Sequence, residues 1–223
     1  MVPRNVASLA KPPRVRRVEV RALSPIEATG ILHAVHGDRL ASVVTFALAT
    51  GVRQGEALAL RWQDVQLDAG TARVRHTLQR LSGRSVELAE PKTDRSRRTL
   101  TLPASVVAML SEHRSRQKKE RLRAGVRWRG AERPDDPAGY VFTTSIGVLA
   151  AAGLPRMLFH DLRHGAASLL LAQGVSPRVI QDMLGHSTIT TTMSVYAHVI
   201  PELQRDAAAR MDAILSPKGS ATG

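Results

Sequence analysis

Apolar positions keep helical spacing over residues 24–61, alternate over 65–102, and return to helical spacing from 103 onward. Ser24-Pro25 offers an N-cap with proline at the first helical position, and Ile26, Ile31 and Leu32 open a helix that ends near Gly37. A second helix is predicted over 38–49, stopped by Thr50-Gly51, and a third from near Arg53 to about Arg61. The runs TARVRHTL, SVEL and RRTLTLP, separated by turn residues, predict a small three-stranded antiparallel sheet. From Pro103, Val106, Val107, Leu110, His113 and Arg114 lie near one helical face, and RSRQKKERLR continues as a solvated face. Residues 124–139 read as a polar loop and YVFTT as a short strand. Four more helices are expected over 159–173, 176–184, 187–196 and 201–215, with starts at Ser176-Pro177 and Pro201 and stops at Gly174 and Gly185. The pattern predicts an α+β fold, mainly helical, with one main domain over 23–215.

Within the 159–173 helix, Leu162, Ala166, Leu169 and Leu170 form one side, which places His160 near the opposite edge and Arg163 at the margin. Leu203, Ala207, Met211, Ile214 and Leu215 form a stripe on the last helix, consistent with packing on a core. Residues 1–22, with three prolines and PPRVRRVEV, read as a basic linker of the interdomain type, and 216–223 as a flexible tail.

Composition narrows the partner. The formal net charge of the 223 residues is +13 and the pI is near 11.4, which favours a polyanion, nucleic acid before membrane. No stretch approaches the roughly 20 apolar residues that span a bilayer, and the N-terminus lacks the apolar core of a signal peptide, so a cytoplasmic, nucleoid-associated protein without a membrane partner is expected. There is no cysteine, which removes disulfides, thiolate-bound zinc and thiol nucleophiles. The lysines stand at 11, 92, 118, 119 and 218, and Lys92 is isolated in the turn PKTDRSRRTL.

Cleaving a phosphodiester without metal takes a nucleophile, charge to stabilise the nonbridging oxygens and a proton for the leaving oxygen. Arg53 and Arg163 can fork onto phosphate, a geometry that suits guanidinium better than ammonium. His160 lies three residues before Arg163 on a neighbouring part of one helical face, and His186 follows Gly185 at a helix end. Tyr196 is one of two tyrosines and could supply the attacking phenol; Lys92 could donate the leaving-group proton. Plainer roles compete with several of these: Lys92 could be a solvent-exposed turn lysine and Tyr196 a core or cap tyrosine. Arg53 and Glu56 have the spacing of a surface ion pair. His160 and His164 have that of a zinc pair, though without HExxH. Tyr140 reads as a packing residue, and LLLAQGVSPRVIQDMLGHSTITTTMSVY also reads as the helix-turn-helix of a DNA-binding regulator.

Four ordered segments, ATGVRQGEALALRW, EPKTDRSRRTL, FHDLRHGAASLLLAQG and VIQDMLGHSTITTTMSVYAH, resemble the catalytic domain of the tyrosine recombinases, the phage integrase family. The resemblance covers about residues 45–200. It implies a site-specific DNA recombinase in which Arg53, His160, Arg163 and His186 bind and activate the scissile phosphate. Lys92 would act as general acid, Glu56 would support Arg53, and Tyr196 would form a 3′-phosphotyrosyl link. It implies no metal and no cofactor; the partners would be double-stranded DNA attachment sites and other recombinase protomers assembled on them. Two departures from the family pattern stand out. The separate N-terminal core-binding domain is expected to be absent, and the interval from Phe142 to His160 is only 18 positions, an apparent shortening near 143–153. The alternative is a truncated, catalytically inactive relative that only binds DNA.

Overall fold

The computed structural model describes residues 23–80, 86–90, 97–128, 139–144, 147–148 and 156–186, with Arg205, Ala208, Ala209, Met211 and Leu215. Helix α1 (Pro25–Ala34) starts as its sequence predicts. The Ser24 hydroxyl accepts from the Glu27 amide at 3.2 Å, and the Glu27 carboxylate accepts from the Ser24 amide at 2.9 Å. Helix α2 (Ala41–Thr50) is apolar around most of its circumference and accordingly runs through the core, with Val43, Val44, Phe46 and Ala47 buried. It ends on Gly51, whose φ of +62° is left-handed and suits a residue without a Cβ.

Helix α3 (Gln54–Leu58) is shorter than the 53–61 predicted: the chain leaves it at Ala59, Leu60 accepts an amide from Val141, and a 3-10 turn follows at Trp62–Asp64. The strands are β1 (Val65–Gln66), β2 (Thr71–Val74), β3 (Thr77–Arg80), β4 (Val86–Ala89) and β5 (Arg98–Thr101). A three-stranded antiparallel sheet is present, but in the order β1-β2-β5, while β3 and β4 form a separate ribbon. TARVRHTL is therefore not one strand. It breaks at Arg75-His76, where Arg75 pairs with the buried Asp64 carboxylate at 3.1 Å, and the following ribbon lies against α3. Gly55 permits that approach: a Cβ there would fall 2.4 Å from Thr77 Oγ1 and 2.5 Å from the Leu78 carbonyl oxygen.

Helix α4 (Ala104–Ala124) buries Val106 and Leu110 and exposes most of its charged run. Gln117 joins it to the segment before α5, accepting from Trp62 Nε1 at 2.6 Å and donating to the carbonyls of Tyr140 and Val141. Phe142 is thereby held in the core against Phe46, with ring centroids 5.5 Å apart; burying such a side chain contributes about 1.5–3 kcal/mol. Tyr140 packs under the Arg61 guanidinium, as a packing tyrosine should. YVFTT is not a single strand: Tyr140 makes an isolated bridge to Arg61, and β6 (Thr143–Thr144) pairs with β7 (Gly147–Val148).

Helix α5 (Arg156–Ala172) packs along α2, and α6 (Pro177–Leu184), capped by Ser176, folds back on α5. The α5–α6 pair carries its own small apolar cluster of Ala167, Leu171, Ile180 and Leu184. The five described positions between 205 and 215 are helical, but Met211 and Leu215 are exposed, so the predicted stripe does not pack on this chain's core there. The linker (1–22), Lys92, the 187–196 helix with Tyr196, most of the shortened interval near 143–153 and the tail lie outside the described residues.

Candidate active site

The last carbonyls of a helix lack intrahelical partners and form the negative end of its dipole. At the end of α6, four successive carbonyls are met by side chains from four places in the chain. Met183 O accepts from Arg98 Nε at 2.7 Å, Leu184 O from Arg163 Nη2 at 2.8 Å, Gly185 O from Arg53 Nη2 at 3.2 Å, and His186 O from Gln181 Nε2 at 3.2 Å. One short helix end thus draws three guanidiniums together. Gly185, left-handed at φ +67°, turns the chain so that His186 follows directly behind them.

Each arginine reaches this point from a different element. Arg53 is the residue before α3, and the Glu56 carboxylate turns back to its amide at 3.0 Å and its Nη1 at 2.8 Å. Its side chain is 45% exposed, which leaves it accessible to a ligand. Arg163, which helical spacing puts at a margin, is buried, because its Nη1 reaches the Gly51 carbonyl at 2.6 Å while Nη2 donates to the Leu184 carbonyl. It therefore ties α5 to the end of α2 and the end of α6. Gly51 matters twice here, since a Cβ on it would fall 2.1 Å from Leu184 Cδ2.

Arg98, not singled out in the sequence, opens β5 and faces inward. Its Nη2 donates to Glu56 Oε2 at 2.9 Å and its Nη1 to Oε1 at 3.3 Å. The signal that could have found it is strand parity: Arg98 shares a face with Leu100 and Leu102, both buried, whereas Arg97 is on the other.

The electrostatics follow from two guanidiniums sharing the Glu56 carboxylate, with a third, that of Arg163, held on carbonyls beside them. Burial favours the neutral acid at Glu56, but hydrogen bonds and charge from Arg98, then Arg53, outweigh it and hold the carboxyl below its ordinary value. His186 is pushed down to about 4, by burial first and then by Arg163, Arg53, His164 and Arg98. His164 is also lowered, by burial and then by His160 and Arg163. Its ring meets that of the exposed His160 edge-on, with centroids 4.4 Å apart. A cluster with this excess of positive charge and a neutral imidazole suits an anion, whose charge would offset the guanidiniums and favour protonation of His186.

A groove of about 440 Å³ continues from Arg98, lined by Arg73, Arg75, His76, Glu90 and Arg97 among others. Glu90 and Arg97 form an ion pair there, and they are the described residues on either side of the Lys92 segment. Of the residues picked from the sequence, Arg53, Glu56, Arg163 and His186 come together directly and His160 joins through His164; Lys92 and Tyr196 lie outside the described residues.

A mainly helical domain with a small antiparallel sheet thus gathers arginine and histidine side chains on a helix end, an arrangement that suits an anion. The chain belongs to the phage integrase family, the tyrosine recombinases, which it matches over residues 21–202. It is 35% identical over 211 residues to a XerC-like tyrosine recombinase of Caldanaerobacter subterraneus, covering 85% of this chain and 53% of that protein. With the ICEBs1 integrase of Bacillus subtilis it shares 27% over 220 residues, covering 95% of this chain and 60% of that one. The chain therefore spans between half and two thirds of the length of these relatives. Its fold is that of the Tn1549 transposon integrase solved with circular intermediate DNA, at a TM-score of 0.68 and 21% identity over 91% of this chain and 70% of that one. It also matches the catalytic domain of bacteriophage HP1 integrase, at a TM-score of 0.50 and 20% identity over 92% of this chain and 99% of that domain.

Proposed function

We propose that this chain is the catalytic domain of a site-specific DNA recombinase that cleaves and rejoins DNA through a 3′-phosphotyrosyl intermediate, with neither metal nor ATP taking part. The observation that carries the proposal is the gathering of Arg53, Arg163 and His186 at the end of α6 in a chain of the phage integrase family; Lys92 and Tyr196 enter from the resemblance of their segments to that family's motifs. Arg53 is the accessible guanidinium and binds the nonbridging oxygens; Arg163 contributes charge from a fixed, buried position. The Tyr196 phenol oxygen attacks phosphorus as its proton is lost, with His160 able to act as acid or base. The bond from phosphorus to the 5′ oxygen breaks, and Lys92 protonates that oxygen. Attack by a 5′ hydroxyl on the phosphotyrosine reverses the step, so the phosphodiester energy is conserved.

The natural substrate is a double-stranded attachment site, bound by several protomers, and the place of action is the cytoplasm on the nucleoid. Residues 1–22 act as an interdomain-type linker, 23–215 form the catalytic domain and 216–223 a tail. The exposed Met211 and Leu215 suit packing against a neighbouring protomer on DNA. Among the described residues no helix is long and apolar enough to cross a membrane.

Incubation with nicked suicide substrates carrying candidate sites, followed by a denaturing gel, tests the proposal. A covalent protein–DNA band that vanishes in Tyr196→Phe is the expected result. Binding without a band favours the inactive, DNA-binding alternative, and a band that persists in Tyr196→Phe overturns the nucleophile.

A further inference from the structure

We propose that Arg98 is a positioning residue of this site: it sets Arg53 through Glu56 and sets the His186 turn through the Met183 carbonyl, without itself contacting the DNA phosphate. The inference rests on the recombinase reading for what the site does, and on geometry alone for how it is held. All three guanidinium nitrogens of Arg98 are engaged, Nε with Met183 O and the two Nη with the two oxygens of Glu56. The side chain is only 8% exposed. Glu56 is thus clasped by two arginines, and each of its oxygens accepts from both.

This arrangement has a consequence for Arg53. Were Glu56 paired with Arg53 alone, a buried carboxylate would neutralise the guanidinium and hold it away from a phosphate. Sharing the carboxylate with Arg98 lets Glu56 orient Arg53 while leaving the pair of arginines with a net positive charge. The Nε contact adds a second constraint, because it registers β5 against the end of α6. A lysine can keep the charge at position 98 but cannot supply the planar fork and the third donor together.

The test is single-turnover cleavage of a nicked site by wild type, Arg98→Lys, Glu56→Gln and the double variant, with DNA affinity measured alongside. Arg98→Lys is expected to slow covalent-complex formation about 10- to 100-fold, the usual consequence of small misplacement in a preorganised site, while DNA affinity changes by no more than about threefold. Combining it with Glu56→Gln should add little further loss, since both act on one clasp. In the DNA-free protein, NMR should resolve distinct Nη–H signals for Arg53 in wild type and merge them in Arg98→Lys, with those of Arg163 unchanged. Arg98→Ala, as a second variant, should recover cleavage with ethylguanidinium and not with ethylammonium.

Cleavage by Arg98→Lys within about threefold of wild type, multiplicative losses in the double variant, or unaltered Arg53 signals would overturn the proposal. If wild type forms no covalent complex at all, the recombinase reading fails, and the Arg53 signals still decide the role of Arg98.

Discussion

The large apolar cluster and the small one are held by different means. Around α2, residues from Ala28 to Leu162 bury a continuous core in which Phe46, Phe142, Leu110 and Phe159 are almost wholly enclosed. Under α5 and α6, among the described residues, only Ala167, Leu171, Ile180 and Leu184 are buried together. These few side chains hold α6 against α5, while α5 itself is seated on α2 by Phe159 and Leu162 of the large core. The orientation of α6 is completed by polar contacts: Arg53 and Arg98 from the large region, and Arg163 from α5, donate to the carbonyls at and just beyond its end. Two of these guanidiniums, Arg53 and Arg163, are also those of the proposed phosphate site. On the proposed function, the phosphate site and the docking of α6 thus draw on overlapping charges.

The largest expected disturbance of this comparison is Arg163→Met, which fills the space but leaves the Gly51 and Leu184 carbonyls without their donors. A loss of about 2–4 kcal/mol is expected in urea unfolding, since each orphaned buried acceptor costs about 1–3 kcal/mol and relief of the buried charge offsets part of it. A change of under about 0.5 kcal/mol, the level of an ordinary surface substitution, would mean that the small cluster orients itself. Next comes Gly55→Ala, which places a Cβ against the Leu78 carbonyl and should cost about 1–3 kcal/mol as an overpacked contact. It should displace the β3–β4 ribbon and leave α5 and α6 unaltered, as amide chemical shifts can show.

The smallest effect is with pH. His76, His113, His164 and His186 are all held below the ordinary histidine value, with burial as the first cause in each. A lowered pKa means that the unfolded chain binds more protons in this range. Stability is therefore full above about pH 6.5 and falls as pH drops, with the His186 contribution exhausted near pH 4. Glu56, also lowered, adds a loss that begins only as pH falls below the ordinary carboxylate value of 4.5. Urea midpoints should decline from pH 6.5 to 4, and His186→Gln should flatten part of that slope. An equal slope in both proteins would remove His186 from the linkage.

Most of the described arginine and histidine cluster is legible in the sequence because its members sit in short segments with local signals. Thr50-Gly51 marks a helix stop, Gly185 another, and Arg53 and Glu56 fall within a helical turn of each other. What was not legible depends on contacts between distant segments. Arg163 reads as marginal on a helical wheel because the wheel contains neither the Gly51 nor the Leu184 carbonyl that makes burial of its charge possible. Arg98 lay inside a recognised segment but among neighbouring arginines, and only the parity of β5 separates it from Arg97. The split of TARVRHTL into two sheets was hidden for a similar reason, since the alternation runs through Arg75 and His76 and the break depends on Asp64 and Gly55.

Amide hydrogen exchange across Ile180–Leu184 in wild type and Arg163→Met tests most directly the claim that guanidiniums, rather than apolar packing, hold α6 in place. These amides should lose protection in the variant while those of α2 and α4 keep theirs. Unchanged protection in α6, or an equal loss throughout the molecule, would contradict it.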